Sequence, residues 1–154
     1  ITVHINGDPL AESLEPFSVN LSAATNATVV EGLGIGAILD DEPLISISDV
    51  AKREGKRGQT TQFTFTVSLS AAYDQPVTMS FKTTDGTAKA GEDYTAKAGT
   101  LTFAPGETSK TITIIVIGDN KREADETFFI DLVGNSSNSL FTNYRGTGTI
   151  LNDN

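Results

Sequence analysis

Apolar and polar residues alternate with a period of two in seven short runs: 44–50, 62–69, 77–83, 99–103, 110–117, 127–133 and 146–151. In the second run Phe63, Phe65, Val67 and Leu69 share one side and Thr64, Thr66 and Ser68 the other. That pattern suits a strand with one buried and one wet face. Turn formers punctuate the gaps: Gly55 and Gly58, Asp74-Gln75-Pro76, Asp85-Gly86, Ala104-Pro105-Gly106, Gly118-Asp119-Asn120 and Gly134-Asn135. No window of ten or more residues carries a helical stripe. About seven short strands in roughly 110 residues predict an all-β, immunoglobulin-like antiparallel β-sandwich.

The first 42 residues repeat part of this pattern. Ile1-Thr2-Val3-His4-Ile5-Asn6-Gly7-Asp8 returns as Ile112-Thr113-Ile114-Ile115-Val116-Ile117-Gly118-Asp119. The match runs on through Glu12/Glu123, Glu15/Glu126, Phe17/Phe128, Val19/Ile130 and Leu21/Leu132, and Gly34–Asp41 aligns with Gly146–Asp153. A spacing of about 111 to 112 residues is a typical domain size. The chain therefore divides into 1–42, the last part of one repeat with three strands of an incomplete second sandwich, and 43–154, a complete repeat.

Composition narrows the chemistry. The chain has 154 residues, no Cys, no Trp and one His, His4. Disulfide scaffolds, thiolate metal sites, catalytic triads and zinc hydrolase sites are thereby excluded or made improbable, and the chain is read as no enzyme. The net charge of -9 is uneven. Residues 1–51 hold eight acids and no Lys or Arg, whereas 52–154 hold twelve acids against eleven bases. Nucleic-acid binding needs a basic footprint, and the one basic cluster, Lys52–Arg57, is broken by Glu54 and Gly55 and reads as a solvated loop. No apolar stretch approaches a membrane span, and no targeting leader opens the chain. Gly32-Leu33-Gly34-Ile35-Gly36 loosely suggests a phosphate loop but lacks the Lys and the following helix. Three triplets, at Asn20, Asn26 and Asn135, fit the glycosylation acceptor pattern, which occurs often by chance.

A string of short motifs is more specific than any of these features. In order they are Ile47-Ser48-Asp49-Val50 with Glu54-Gly55; Asp85-Gly86-Thr87-Ala88; Ala90-Gly91-Glu92-Asp93-Tyr94; Gly99–Glu107; Asp125-Glu126-Thr127-Phe128; and Gly146–Asp153. In this order and spacing the chain resembles the Calx-beta domains of sodium/calcium exchangers, of an integrin beta subunit and of tandem bacterial surface arrays. The resemblance covers Leu44 to Asn154. It implies a sandwich that binds Ca2+ at the loops of one end, with ligands falling on Glu54, Asp93, Asp119, Glu123, Glu126 and Asp153 and a main-chain carbonyl from Lys121. Calcium takes roughly 6 to 8 oxygen ligands and needs neither nitrogen nor sulfur, which suits this chain. Single aspartates at Asp119 and Asp153, each flanked by Asn, favour fewer ions and weaker binding. Glu123 and Glu126 read alternatively as solvated loop acids, and as a catalytic carboxylate pair they lack any sugar cleft.

The incomplete repeat carries a parallel acidic set, Asp8, Glu12, Glu15, Asp40 and Asp41, beside the short junction Asp41-Glu42-Pro43. Three strands cannot close a sandwich, so Phe17, Val19, Leu21, Ile38 and Leu39 need a cover. Neighbouring repeats or chains are the expected partners, strand exchange into a homo-oligomer being one solution, without nucleic acid or membrane insertion. The expectation is a calcium-binding structural and adhesion module of a secreted or bacterial cell-surface protein, located extracellularly. A regulatory calcium sensor of a transporter-like protein, and an assembly module that does not need calcium, are the alternatives.

Overall fold

The computed structural model describes residues 1–153, and every regular element among them is a strand. β1 (Glu15–Asn20) and β2 (Leu33–Ile38) pair with each other in a two-stranded sheet. The remaining strands are β3 (Leu44–Ile47), β4 (Val50–Arg53), β5 (Thr60–Leu69), β6 (Val77–Asp85), β7 (Ala98–Phe103), β8 (Ser109–Ile117), β9 (Glu126–Val133), β10 (Leu140–Asn143) and β11 (Arg145–Leu151). They form a four-stranded sheet in the order β10-β3-β5-β8 and a five-stranded sheet in the order β4-β11-β9-β6-β7. This is the sandwich that the alternation predicts.

Period-two patterning places the core. Phe63, Phe65 and Val67 of β5, Ile112, Ile114 and Val116 of β8, and Phe128, Ile130 and Leu132 of β9 are buried, while Thr64, Thr66 and Thr113 face outward to varying depth. Phe65 stands opposite Ile112 and Phe63 opposite Ile114 across the antiparallel pair. Each fully buried side chain of this size contributes about 1.5–3 kcal/mol through removal of apolar surface from water. Phe128 joins the sheets, its ring 5.8 Å from Phe63 and 6.0 Å from Phe65.

Three differences from the expected strands have local causes. The run 44–50 is split, because β3 pairs with β5 in one sheet while β4 pairs parallel with β11 in the other. Ser48 Oγ accepts the Thr66 N–H at 2.9 Å and Asp49 Oδ1 accepts the Thr147 N–H at 2.7 Å, so each side chain holds one sheet where the chain crosses over. β10 was not expected: it is only four residues long and pairs parallel with β3, and Thr142 Oγ1 and Asn143 Nδ2 add hydrogen bonds to the Ile45 and Ile47 carbonyls. Finally, 1–42 forms two strands rather than three. Ile1–Ile5 is no strand, although its counterpart lies in β8. β8 is a strand by pairing with β5, and no strand stands beside Ile1–Ile5.

The N-terminal part meets the sandwich at its junction. Ala11 donates its N–H to the Ser137 carbonyl at 3.0 Å, and the Tyr73 hydroxyl donates to the buried Glu42 carboxylate at 3.2 Å.

Candidate metal centre

Four chain segments bring carboxylates to one end of the sandwich, held there by backbone hydrogen bonds and, at Asp93 and Asp125, by carboxylates that accept backbone N–H groups. Glu54 follows β4, its N–H donated to the Leu151 carbonyl at 3.3 Å, and it is only 7% exposed. Asp93 lies in the turn after β6, where Oδ2 accepts the Lys89 N–H at 2.6 Å and the Asp93 carbonyl accepts the Ile117 N–H at 2.8 Å. The Ala-Gly-Glu-Asp-Tyr sequence suits this turn because Gly91 adopts a φ of 88°.

The loop after β8 brings Asp119 in by a close crossing. Lys56 bridges to Asp119, and Gly118 donates its N–H to the Gln59 carbonyl at 3.0 Å. Any Cβ at Gly118 would run into the Gly55 and Lys56 carbonyls, so only glycine permits this approach. Glu126 opens β9 opposite Ile150, and Asp125 Oδ1 accepts the Asn152 N–H at 3.1 Å, holding the chain that leads to Asp153.

The result is a concentration of negative charge. Carboxylate oxygens of Asp93, Glu123 and Glu126 lie within 4.8 Å of one another; among the described residues no other three acids converge so closely. Burial raises the Glu54 pKa above the ordinary glutamate value, and the charges of Asp119, Asp153, Glu123 and Asp93 push it further. Burial likewise raises Glu126, with Asp93 and Glu123 adding to it. Lys121 answers part of this charge: its Nζ is 3.4 Å from Asp119 Oδ2 and 3.8 Å from Glu123 Oε1. The hydrogen bond to Asp119, and then the charges of Asp119 and Glu123, raise the pKa of that ammonium group.

These residues fit a hard cation. All side-chain donors in the set are oxygens, and Asp153 Oδ1 is buried without a hydrogen-bond partner, an arrangement that is costly unless a cation or water meets it. Glu54, Glu123, Glu126 and Asn152 line a cavity of about 10 Å³, room for one small occupant. The Lys121 carbonyl, expected as a main-chain ligand, is reached by Asn152 Nδ2 at 3.4 Å. All seven positions carried over to the complete repeat thus gather at this end.

The second set behaves differently. Asp8, Glu12, Glu15, Asp40 and Asp41 line one pocket with Glu42, and Glu15, Asp8 and Asp40 raise the Glu12 pKa by their charge. They do not draw together as the first set does. Residue-type spacing did not single out Asp85, which orders the Asp93 turn: its Oδ1 accepts both the Tyr94 hydroxyl at 2.7 Å and the Ala90 N–H at 3.0 Å. These bonds hold the Asp85 carboxyl below its usual range. The signal was present in the Asp85-Gly86-Thr87-Ala88 motif, but without a role attached.

Comparison with known proteins places this geometry. The model of the Calx-beta domain family matches residues 39–153. Sodium/calcium exchanger 2 of Rattus norvegicus is 51% identical over 53 residues, which is 34% of this chain and 6% of that protein. The chain therefore matches only a small part of that relative's length. Among solved structures, the apo-form Calx CBD1 domain superposes with a TM-score of 0.65 at 25% identity, covering 74% of this chain and all of the other. The calcium binding domain CBD12 of CALX1.1 gives a TM-score of 0.62 at 27% identity, over 71% of this chain and 45% of that one.

These matches correct one expectation and leave another without support. The extracellular or cell-surface location is overturned, since the curated relatives are sodium/calcium exchangers. Nothing in the matches supports adhesion or a bacterial surface.

Proposed function

The chain belongs to the Calx-beta domain family, and from that premise we propose that it is a regulatory calcium-binding module without a catalytic role. The observation that carries this reading is the convergence of Asp93, Glu123 and Glu126 beside the buried Glu54 and the unpartnered Asp153 oxygen. Like charges gathered in a partly desolvated place repel one another, and a bound Ca2+ supplies the positive charge that reverses the repulsion. Glu54, Asp93, Asp119, Glu123, Glu126, Asp153 and the Lys121 carbonyl are the residues that would hold it.

The protein's own contribution is to make loop order depend on that ion. The four segments leave different strands of the two sheets, so tightening at this end changes how β4, β6, β8 and β11 finish and how β9 begins. This favours a sensor over a passive spacer, in agreement with the exchanger relatives.

Calcium titration followed by calorimetry and by thermal melting tests the proposal. Affinity in the micromolar range with a cooperative change in loop order supports a sensor; millimolar affinity with a gain in melting temperature alone supports a spacer. A melting temperature that is the same in chelator and in millimolar calcium overturns the ion reading altogether, because a ligand at about 100 times its Kd stabilises by about 2.7 kcal/mol.

A further inference from the structure

Two loops that are far apart in the sequence carry positive charge to one place. The turn after β4 presents Lys56 and Arg57, and the loop after β8 presents Lys121 and Arg122. The two are locked together: Lys56 and Asp119 form a β-bridge, and the Arg57 N–H is donated to Asn120 Oδ1 at 3.3 Å. Lys52 and Arg53 at the end of β4 flank them, Arg53 standing opposite Leu151. All six residues are exposed, and among the described residues Arg53, Lys56, Arg57 and Arg122 form no ion pair. In the sequence Glu54 and Gly55 break the run Lys52–Arg57; in the fold Glu54 is buried, and Lys121 and Arg122 complete the cluster. Asp93, Asp119, Glu126 and Asp153 are half-buried, so the metal centre is an acidic floor inside a basic rim.

The opposite end of the sandwich carries the opposite charge. Residues 1–42 hold seven acids and no Lys or Arg, and they meet the sandwich at Tyr73 and Ser137, in the β5–β6 and β9–β10 loops. β5 has ten residues, so at about 3.3 Å per residue the two ends are about 33 Å apart. The Debye length at physiological salt is about 8 Å, which screens the acidic end from the basic rim. The acids of the metal centre are not screened in this way, since Lys121 Nζ is 3.4 Å from Asp119 Oδ2 and 3.8 Å from Glu123 Oε1. Without a cation, floor and rim offset each other. A bound Ca2+ neutralises the floor and leaves the rim facing solvent as uncompensated positive charge.

We propose that this rim docks the calcium-loaded domain onto an anionic phospholipid membrane, against the headgroups and without insertion, a reading that rests on the calcium function proposed above. The bases are spread over a strand end and two loop tips, and the cavity at this end is only about 10 Å³. Such a surface offers little shape to a folded partner, whereas lipid headgroups move laterally to meet the charges that the rim presents. The charge asymmetry along the sandwich turns the acidic end away from the membrane.

The test is co-sedimentation with vesicles containing phosphatidylserine, against vesicles of phosphatidylcholine alone, alongside calcium calorimetry of the same protein without vesicles. Phosphatidylserine vesicles should take up the chain in calcium and release it in chelator or at high salt, and phosphatidylcholine vesicles should take up none. Arg57→Gln/Arg122→Gln should keep the melting temperature and bind calcium at least as tightly as the parent, yet lose about 25-fold in partition, about fivefold for each base removed. Arg57→Lys/Arg122→Lys should partition as the parent does. Calcium binding in calorimetry with no uptake by phosphatidylserine vesicles at low salt overturns the docking and leaves the calcium function standing. Uptake that the Gln variant leaves undiminished overturns it as well, because Ca2+ then holds the lipid without the rim. Tighter binding to poly-glutamate than to vesicles of the same charge concentration assigns the rim to an acidic protein, and saturation by free glycerophosphoserine assigns it to a soluble phosphate; each overturns the membrane. A chain that binds no calcium in calorimetry overturns the calcium function and the gating of this face together.

Discussion

The ring of Tyr94 stacks on that of Phe128, with centroids 4.5 Å apart and planes 19° apart. Each residue lies next to the metal centre, one directly after Asp93 and the other two positions after Glu126. The stack therefore ties two ligand-bearing segments to one piece of the core, while the Tyr94 hydroxyl donates to Asp85 at 2.7 Å.

Removing the two parts of that tie separately should have different effects. Tyr94→Phe keeps the stack and loses the hydrogen bond, which should cost about 1 kcal/mol of stability by chemical denaturation. Tyr94→Ala removes a large buried ring and should cost about 3–5 kcal/mol. Calcium affinity should fall more in the alanine variant, since Asp93 and Glu126 then lose their common support. Equal affinities in the two variants would show that the stack does not position the ligands.

The raised pKa values of Glu54 and Glu126 give the chelated protein a particular pH dependence. A carboxyl group whose folded pKa lies above its unfolded one contributes stability that is present below the unfolded value and is lost as pH rises through the folded value. Between the ordinary glutamate range and neutrality these two groups therefore work against folding when no cation is present. The variant Glu54→Gln/Glu126→Gln should melt higher than the parent at pH 7 in chelator, with the difference vanishing as pH is lowered towards the ordinary glutamate range. In saturating calcium the order should reverse. A variant that melts lower than the parent in chelator at pH 7 refutes the stored repulsion.

How far the sequence discloses this arrangement depends on the range of the interactions. The alternation at Phe63, Phe65, Val67 and Leu69 is local, and the strand and its buried face follow from it. The crossover at Ser48 and Asp49 depends on partners at Thr66 and Thr147, far along the chain, so a single apolar run reads as one strand where there are two. β10 is only four residues long and pairs parallel with β3, far along the chain, with a break in register, so no alternating run announces it. At the candidate metal centre, the motif order pointed to the acids that gather there, but not to the burial of Glu54, the unpartnered oxygen of Asp153 or the role of Asp85, since each is a property of packing. Location was misjudged because composition suits secreted arrays and exchangers alike.

Lys121 sets an electrostatic contest at the site. Its ammonium lies near Asp119 and Glu123 and would stand close to any cation bound there. Its side chain is 64% exposed, so the ion pairs themselves are worth little to folding. Lys121→Met should leave the fold intact and tighten calcium binding by about three- to tenfold at low salt, with a smaller gain at high salt as screening takes over. Titration calorimetry at two ionic strengths reads both effects. Weaker binding in the methionine variant would mean that Lys121 helps to shape the loop rather than competing with the ion.

Gly148, opposite Phe128, and Gly36, opposite Phe17, offer a comparison between the covered and the uncovered sheet. At Gly148 an added methyl meets the ring of Phe128, which is locked between Phe63, Phe65 and Tyr94 and cannot turn aside. Gly148→Ala should therefore cost about 1–3 kcal/mol, the usual penalty for overpacking a filled core. At Gly36 the same methyl meets the ring of Phe17, which borders open space and can swing away. Gly36→Ala should leave the melting temperature of the main transition unchanged. Two equal penalties would mean that the ring of Phe17 is as tightly enclosed as that of Phe128.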